Sequence, residues 1–204
     1  KKDKPKKEKP KKEQKKPAQA GEEQKPFPKP KTGGSWTDFL PLVQVAQMLA
    51  QKYDVVVTNP PYMSASNMEA RLADRVKKDY PDSKSDLFAV FIERCGRMTA
   101  KNRFQAMITQ HAWMFLSSYE KLRAKLLHTD TVNMAHLGPR AFEEIGGEVV
   151  QTTSFVMRKR HLDYKGTYCR LIEPTTQQGK EDMFLARENR FVGKQANKKL
   201  FAVI

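Results

Sequence analysis

The sequence predicts an α/β fold, part of a doubly wound, Rossmann-like sheet. Two observations predict it. Candidate strands and helices alternate along residues 36–175, the order that builds mostly parallel sheets. One strand, Tyr53-Asp54-Val55-Val56-Val57-Thr58, is a β-branched run that halts at Asn59-Pro60-Pro61-Tyr62. Prolines cannot donate to a strand ladder, so the strand ends there. Pro61 also biases Pro60 toward an extended conformation. The result is a stiff turn at a strand's carboxyl end, where open α/β sheets bind ligands.

Taken in order, residues 1–35 are low complexity: Lys, Pro, Glu and Gln dominate, and Phe27 is the one large apolar residue. Such a segment cannot bury enough surface to offset its ordering entropy. It is expected to be disordered, as a linker, the edge of a fragment or a nonspecific DNA-binding arm, and Gly33-Gly34 marks its boundary. Leu42, Val45, Ala46, Met48 and Leu49 predict a short amphipathic helix ahead of the valine strand. Met63–Lys84 is a long polar connection, a kind usually functional or mobile. Ser85 is the expected cap of a helix carrying Leu87, Phe88, Phe91, Ile92, Cys95 and Met98, with Asp86 in its first turn. Phe104–Thr109 reads as a strand. Ser117-Ser118-Tyr119-Glu120 has capping-box spacing and opens a helix to about Leu127. Val132–Leu137 is the next strand. Glu148–Arg158 and Gly166–Glu173 read as a hairpin around His161–Lys165. Beyond Pro174 the pattern weakens, so residues 176–204 are expected to begin a truncated following region.

The chain of 204 residues carries a formal charge of +15. Residues 1–35 hold 13 Lys against 5 acidic residues, and the remaining residues still carry +7. That excess fits a polyanionic partner such as DNA, and equally a soluble basic surface. No apolar run reaches the roughly 18 residues of a membrane helix. Cys95 and Cys169 have neither metal-ligand nor disulfide spacing and read as reduced core residues, so a cytoplasmic protein with no metal site is expected.

The chemistry sits at Asn59-Pro60-Pro61-Tyr62. The Asn59 amide oxygen and the Pro60 carbonyl are two acceptors for one NH2 group, and Tyr62 offers a face for a planar base. A Pro-Pro turn alone can simply end a strand. With Asn before and Tyr after, it resembles the motif of amino-methyltransferases that use S-adenosylmethionine. Further blocks narrow the resemblance: Ser83–Arg94 with its Ser-Asp-Leu-Phe core, Ile108–Tyr119, and His136–Thr153 with His136-Leu137-Gly138-Pro139-Arg140-Ala141-Phe142. Together, over roughly Leu42–Glu173, the chain resembles the PglX adenine methyltransferases of bacterial BREX phage-defence systems.

That resemblance implies methyl transfer from S-adenosylmethionine to the exocyclic amine of an adenine flipped out of double-stranded DNA, with other BREX components as expected partners. It implies Asn59, Pro60 and Tyr62 as catalytic residues and Phe142 as a second contact to the flipped base, unless Phe142 is a core residue. His111 and Trp113 follow a strand end but read first as a satisfied histidine and a core tryptophan. Asp86 reads as first-turn electrostatics and Glu93 as surface. A complete enzyme of this type has a glycine turn after its first strand and an acid after its second. No such unit precedes Tyr53, and Thr37-Asp38-Phe39-Leu40 only loosely resembles an Asp-Phe pair that contacts the cofactor in some relatives. The cofactor-binding residues are therefore unknown, and residues 36–175 are expected to be the catalytic half of a methyltransferase domain. Two rivals remain: methylation of a glutamine amide in a release factor, disfavoured by the long Met63–Lys84 insertion, and a catalytically inactive DNA- or partner-binding module of the same fold.

Overall fold

The computed structural model describes residues 36–142, 150–162 and 164–194, with side chains from residue 39 onward. The expected disorder of residues 1–35 and the Gly146–Val149 block lie outside these residues. Two compact units divide between Pro41 and Leu42, and the second carries every strand described.

Helix α1 spans Trp36–Ala50 and leads into β1, Tyr53–Thr58. The apolar residues from Leu42 to Leu49 that predicted an amphipathic helix are exposed at Leu42, Val43, Val45, Met48 and Leu49. The connection after β1 is not featureless. It contains a 3-10 turn at Ala65–Asn67 and helix α2, Ala70–Asp79, which buries Val76 beside Met68 and Val90. Helix α3, Leu87–Met98, and strand β2, Thr99–Gln110, follow. After a 3-10 turn at His111–Met114 come α4, Glu120–Leu126, β3, Asp130–Gly138, and β4, Thr152–Arg158. Strand β5, Lys165–Arg170, helix α5, Gln177–Leu185, and strand β6, Arg190–Lys194, complete the described chain.

The six strands form one mixed sheet in the order β1-β2-β4-β3-β5-β6. β1 runs parallel to β2, with Thr58 opposite Met107. β4 lies antiparallel between β2 and β3, and β5 runs parallel to β3. The expected hairpin between β4 and β5 does not form. Both edges of β4 are taken by β2 and β3, so β5 has no edge there to join. It packs on β3 instead, and so tightly that a Cβ on Gly166 would lie 2.2 Å from the Thr131 carbonyl oxygen. Residues past Pro174 add α5 and a sixth strand to this same sheet.

One face of the sheet is covered by α3 and α4. Phe88, Ile92, Cys95, Leu122 and Leu126 pack there on Met107, Met134, Phe155, Met157 and Tyr168. Burying such side chains is worth roughly 1.5–3 kcal/mol each. β1 sits at the sheet's edge with Val55 57% and Val57 70% exposed, the reverse of the burial its valine run predicts.

Candidate functional site

The sheet directions bring four chain segments to one edge. β1 and β2 are parallel, so Asn59 and His111 both leave the sheet there. Gln110 and Gly138 each face Thr152, the first residue of β4. The residues after Gly138, including Phe142, therefore start from the same edge. Asn59 is exposed, Pro60 is buried, and Tyr62 and Phe142 are half-buried.

The Asn-Pro-Pro-Tyr turn is held from outside itself. Asp86 is the N-cap of α3 in extended conformation and accepts from the Phe88 amide at 3.2 Å. The same carboxylate oxygen accepts from the Met63 amide at 3.0 Å, one residue past Tyr62. The backbone adds Leu87 N–H to Met63 O at 2.9 Å and Ala65 N–H to Ser85 O at 3.0 Å. Asp86, rather than Ser85, thus caps the helix, and its role exceeds first-turn electrostatics. A capping carboxylate satisfies amides that the helix leaves unpaired, and here it also fixes the Asn-Pro-Pro-Tyr turn to a buried helix.

Tyr62 meets Phe88 edge to face at 6.0 Å, and Phe88 meets Tyr119 at 5.9 Å. Burial pushes the Tyr62 phenol up to about 12, and its hydroxyl has no hydrogen-bond partner. The ring is therefore placed by packing rather than by its hydroxyl.

Glu93 is not a surface residue. Its carboxylate accepts from the buried Ser83 hydroxyl at 3.0 Å and pairs with Lys125 at 3.0 Å and Arg97 at 3.4 Å. These contacts join the connection after β1, α3 and α4, which is a structural role. Trp113 is fully buried and donates to the Thr109 hydroxyl at 3.1 Å, as a core tryptophan should. His111 is a satisfied histidine of a particular kind: its Nδ1 lies 2.9 Å from Nε2 of buried His136. Burial first, then His136, lowers the His111 pKa. Sequence reasoning missed His136 as a partner, although its place at the end of the Val132–Leu137 strand put it near the edge where Asn59 and His111 leave the sheet. At the Ser117–Glu120 capping-box spacing, the residues at the N-cap positions, Leu116 and Tyr119, make no side-chain cap, and a 3-10 turn at Ser117–Tyr119 leads into α4.

The S-adenosylmethionine implied by the family resemblance needs a glycine turn between a strand and a helix. Among the described residues no strand precedes β1, and Gly138, at a strand end with φ 64°, leads into no helix. The described residues do not form a complete cradle for that cofactor. They also hold no cluster of three or more His, Cys, Asp or Glu side chains for a metal, and no helix long and apolar enough to cross a membrane.

Residues 1–139 match the family model for Eco57I restriction-modification methylases. An adenine-specific methyltransferase, PglX, from Lacticaseibacillus casei (strain Zhang) is 54% identical over 145 residues, which is 71% of this chain and 12% of that protein. An adenine-specific methyltransferase, BrxX, from Escherichia coli O9:H4 (strain HS) is 46% identical over 156 residues, 76% of this chain and 13% of that protein. The chain therefore spans only 12–13% of the length of these curated relatives. Among solved structures, one of a type I restriction-modification system aligns with TM-score 0.57 and 15% identity, over 77% of this chain and 37% of that one. A DrdV–DNA complex aligns with TM-score 0.55 and 14% identity, over 75% of this chain and 18% of that one. These last two likenesses are of fold. The relatives bear out the PglX resemblance read from the sequence blocks.

Proposed function

Because the chain belongs to the Eco57I restriction-modification methylase family, we propose that it is the base-binding segment of a DNA adenine methyltransferase of bacterial phage defence. The Asn59 amide oxygen and the Pro60 carbonyl accept from the exocyclic amine of an adenine flipped out of double-stranded DNA. Two oxygen acceptors orient the amine's lone pair and stabilise the positive charge that grows on nitrogen. Tyr62 stacks on one face of the base, and Phe142 contacts it from the neighbouring strand end. S-adenosylmethionine would supply a methyl group already activated by its sulfonium, so this segment's contribution is positioning rather than strong base chemistry. Partners in the cell include DNA and, by kinship to PglX and BrxX, other BREX components.

The observation that carries this reading is the Asn59-Pro60-Pro61-Tyr62 turn, exposed at Asn59, with the residue after Tyr62 tied to the α3 cap through Asp86. The reading is tested in the full-length parent enzyme by following tritiated methyl incorporation into adenine. Asn59→Ala should remove turnover while cofactor affinity, by calorimetry, stays within about twofold. Retained turnover would sink the assignment. The lack of a complete cofactor cradle among the described residues favours a second outcome for the isolated chain, binding without catalysis. Purified alone, it should transfer no methyl group to DNA.

A further inference from the structure

The turn after β2 displays two apolar side chains at the edge that carries Asn59. Phe115 is 41% exposed and Leu116 is 54% exposed. Their backbone is nevertheless firmly held. Arg123 donates from one nitrogen to the Trp113 carbonyl at 2.8 Å and to the Leu116 carbonyl at 2.6 Å. The Phe115 and Leu116 amides both donate to the Ala112 carbonyl, at 3.2 and 3.0 Å, and His111 N–H donates to Gln151 O at 2.9 Å. The Phe115 ring is backed by the imidazole pair, 5.3 Å from His111 and 5.8 Å from His136. A loop this well anchored could have carried polar residues at its tip. It exposes an apolar pair on this chain instead.

The pair is also coupled to the base-binding turn. Tyr62 packs on Phe88, Phe88 on Tyr119, and the Tyr119 amide donates to the Leu116 carbonyl at 3.1 Å. One packed row thus joins the ring that would receive a base to the displayed pair. Proteins that open a duplex insert such apolar side chains between base steps, because a gap in the stack exposes apolar faces that water covers poorly.

Resting on the adenine methyltransferase reading of the site, we propose that Phe115 and Leu116 form an apolar wedge that enters the DNA stack at the position the flipped adenine leaves. The wedge fills the gap and stacks on the adjacent base pair, while Tyr62 and Asn59 hold the extruded base. Phe115 and Leu116 thereby favour the flipped state without touching the reacting amine.

The test uses the full-length parent enzyme and duplexes carrying 2-aminopurine at the target position, whose fluorescence rises on leaving the stack. Phe115→Ala, Leu116→Ala and the double variant should lower the flipped fraction and weaken binding about 5- to 100-fold on a fully paired duplex. On a duplex whose target faces an abasic site, where little stacking must be broken, the same variants should come within about threefold of the parent. Phe115→Leu should recover most of the loss, since bulk is retained. Equal losses on both duplexes would mean a structural or general DNA-binding role and overturn the wedge, as would unchanged flipping. Should the double variant lose its fold, the single variants carry the same comparison. A parent enzyme that fails to methylate adenine at all would instead refute the reading of the site. Parent turnover with indifferent wedge variants would refute this inference alone.

Discussion

Tyr62 is half-buried, and its hydroxyl finds no partner. A buried unsatisfied hydroxyl is a cost, so Tyr62→Phe should leave turnover near the parent's and hold or raise stability by about 1 kcal/mol. Tyr62→Ala removes the stacking face and should weaken capture of the base by roughly 1–3 kcal/mol, read as a raised KM for DNA. The phenol's raised pKa also sets an alkaline limit. Folded Tyr62 holds its proton beyond the ordinary value of 10.0, up to about 12. Its stability contribution is thus complete below pH 10 and lost as pH rises toward 12. Thermal melts across that window should fall less steeply in Tyr62→Phe; identical slopes would contradict the burial that raises the phenol. Asp86 acts at the same scale by a different route. Asp86→Ala should cost about 1–2 kcal/mol as a lost cap and should also loosen the turn. Asp86→Asn keeps an acceptor and should recover most of the melting temperature. The turn that carries Asn59 and Tyr62 was legible in the sequence because Pro-Pro ends the strand locally. The role of Asp86 was not, because its second partner lies 23 residues away.

Strand β2 has one residue out of keeping with its neighbours. Gln105 is buried, its amide nitrogen reaches only the Met157 sulfur at 4.0 Å, and its oxygen is unpartnered. It borders a cavity of about 350 Å³ also lined by Ile92, Leu122, Leu126 and Met157. Gln105→Met keeps the length and removes the unsatisfied oxygen. It should stabilise by about 1 kcal/mol, or about 2–4 °C in melting temperature, and a lower melting temperature would show that the amide has a partner. The pair formed by His111 at the end of β2 and His136 in β3 works in the opposite direction under acid. His111 has a pKa below its ordinary 6.5 in the folded protein, so the unfolded chain binds its proton first. Stability is complete above pH 6.5 and declines as pH falls below it. His111→Gln should flatten the melting temperature between pH 7 and pH 5. Most elements could be read from the sequence, since β-branched runs and helical spacing are local signals. Their extents were less accessible. β2 begins at Thr99 rather than Phe104, after a register shift on β1 and with Asn102 at φ 66°, features that no periodicity announces. The sheet order was hidden for a related reason: β4 and β5 are near in sequence, yet only the prior occupation of both β4 edges decides that β5 goes to β3.

At the scale of the whole molecule, the outer edge of β1 is unpaired among the described residues, and Val55 and Val57 are exposed on it. Such edges template association with other chains. The isolated chain should self-associate at micromolar concentration by analytical ultracentrifugation, and Val57→Lys, a charge on that strand, should shift it toward monomer. A monomer at all concentrations would show the edge to be protected. The position of β4 has a further consequence, for the order in which the protein can be made. β4 is inserted between β2 and β3, both synthesised before it. Until Thr152–Arg158 has left the ribosome, β3 has no neighbour through which to reach β2, and helix α4 lacks part of the sheet it packs on. β1, β2 and α3 can assemble early through nearby contacts, whereas β3 must wait for a strand whose register spans long loops, a slow step in folding. Nascent chains stalled before Thr152 should leave the amides of Met134–His136 open to hydrogen exchange, and chains extended past Arg158 should begin to protect them.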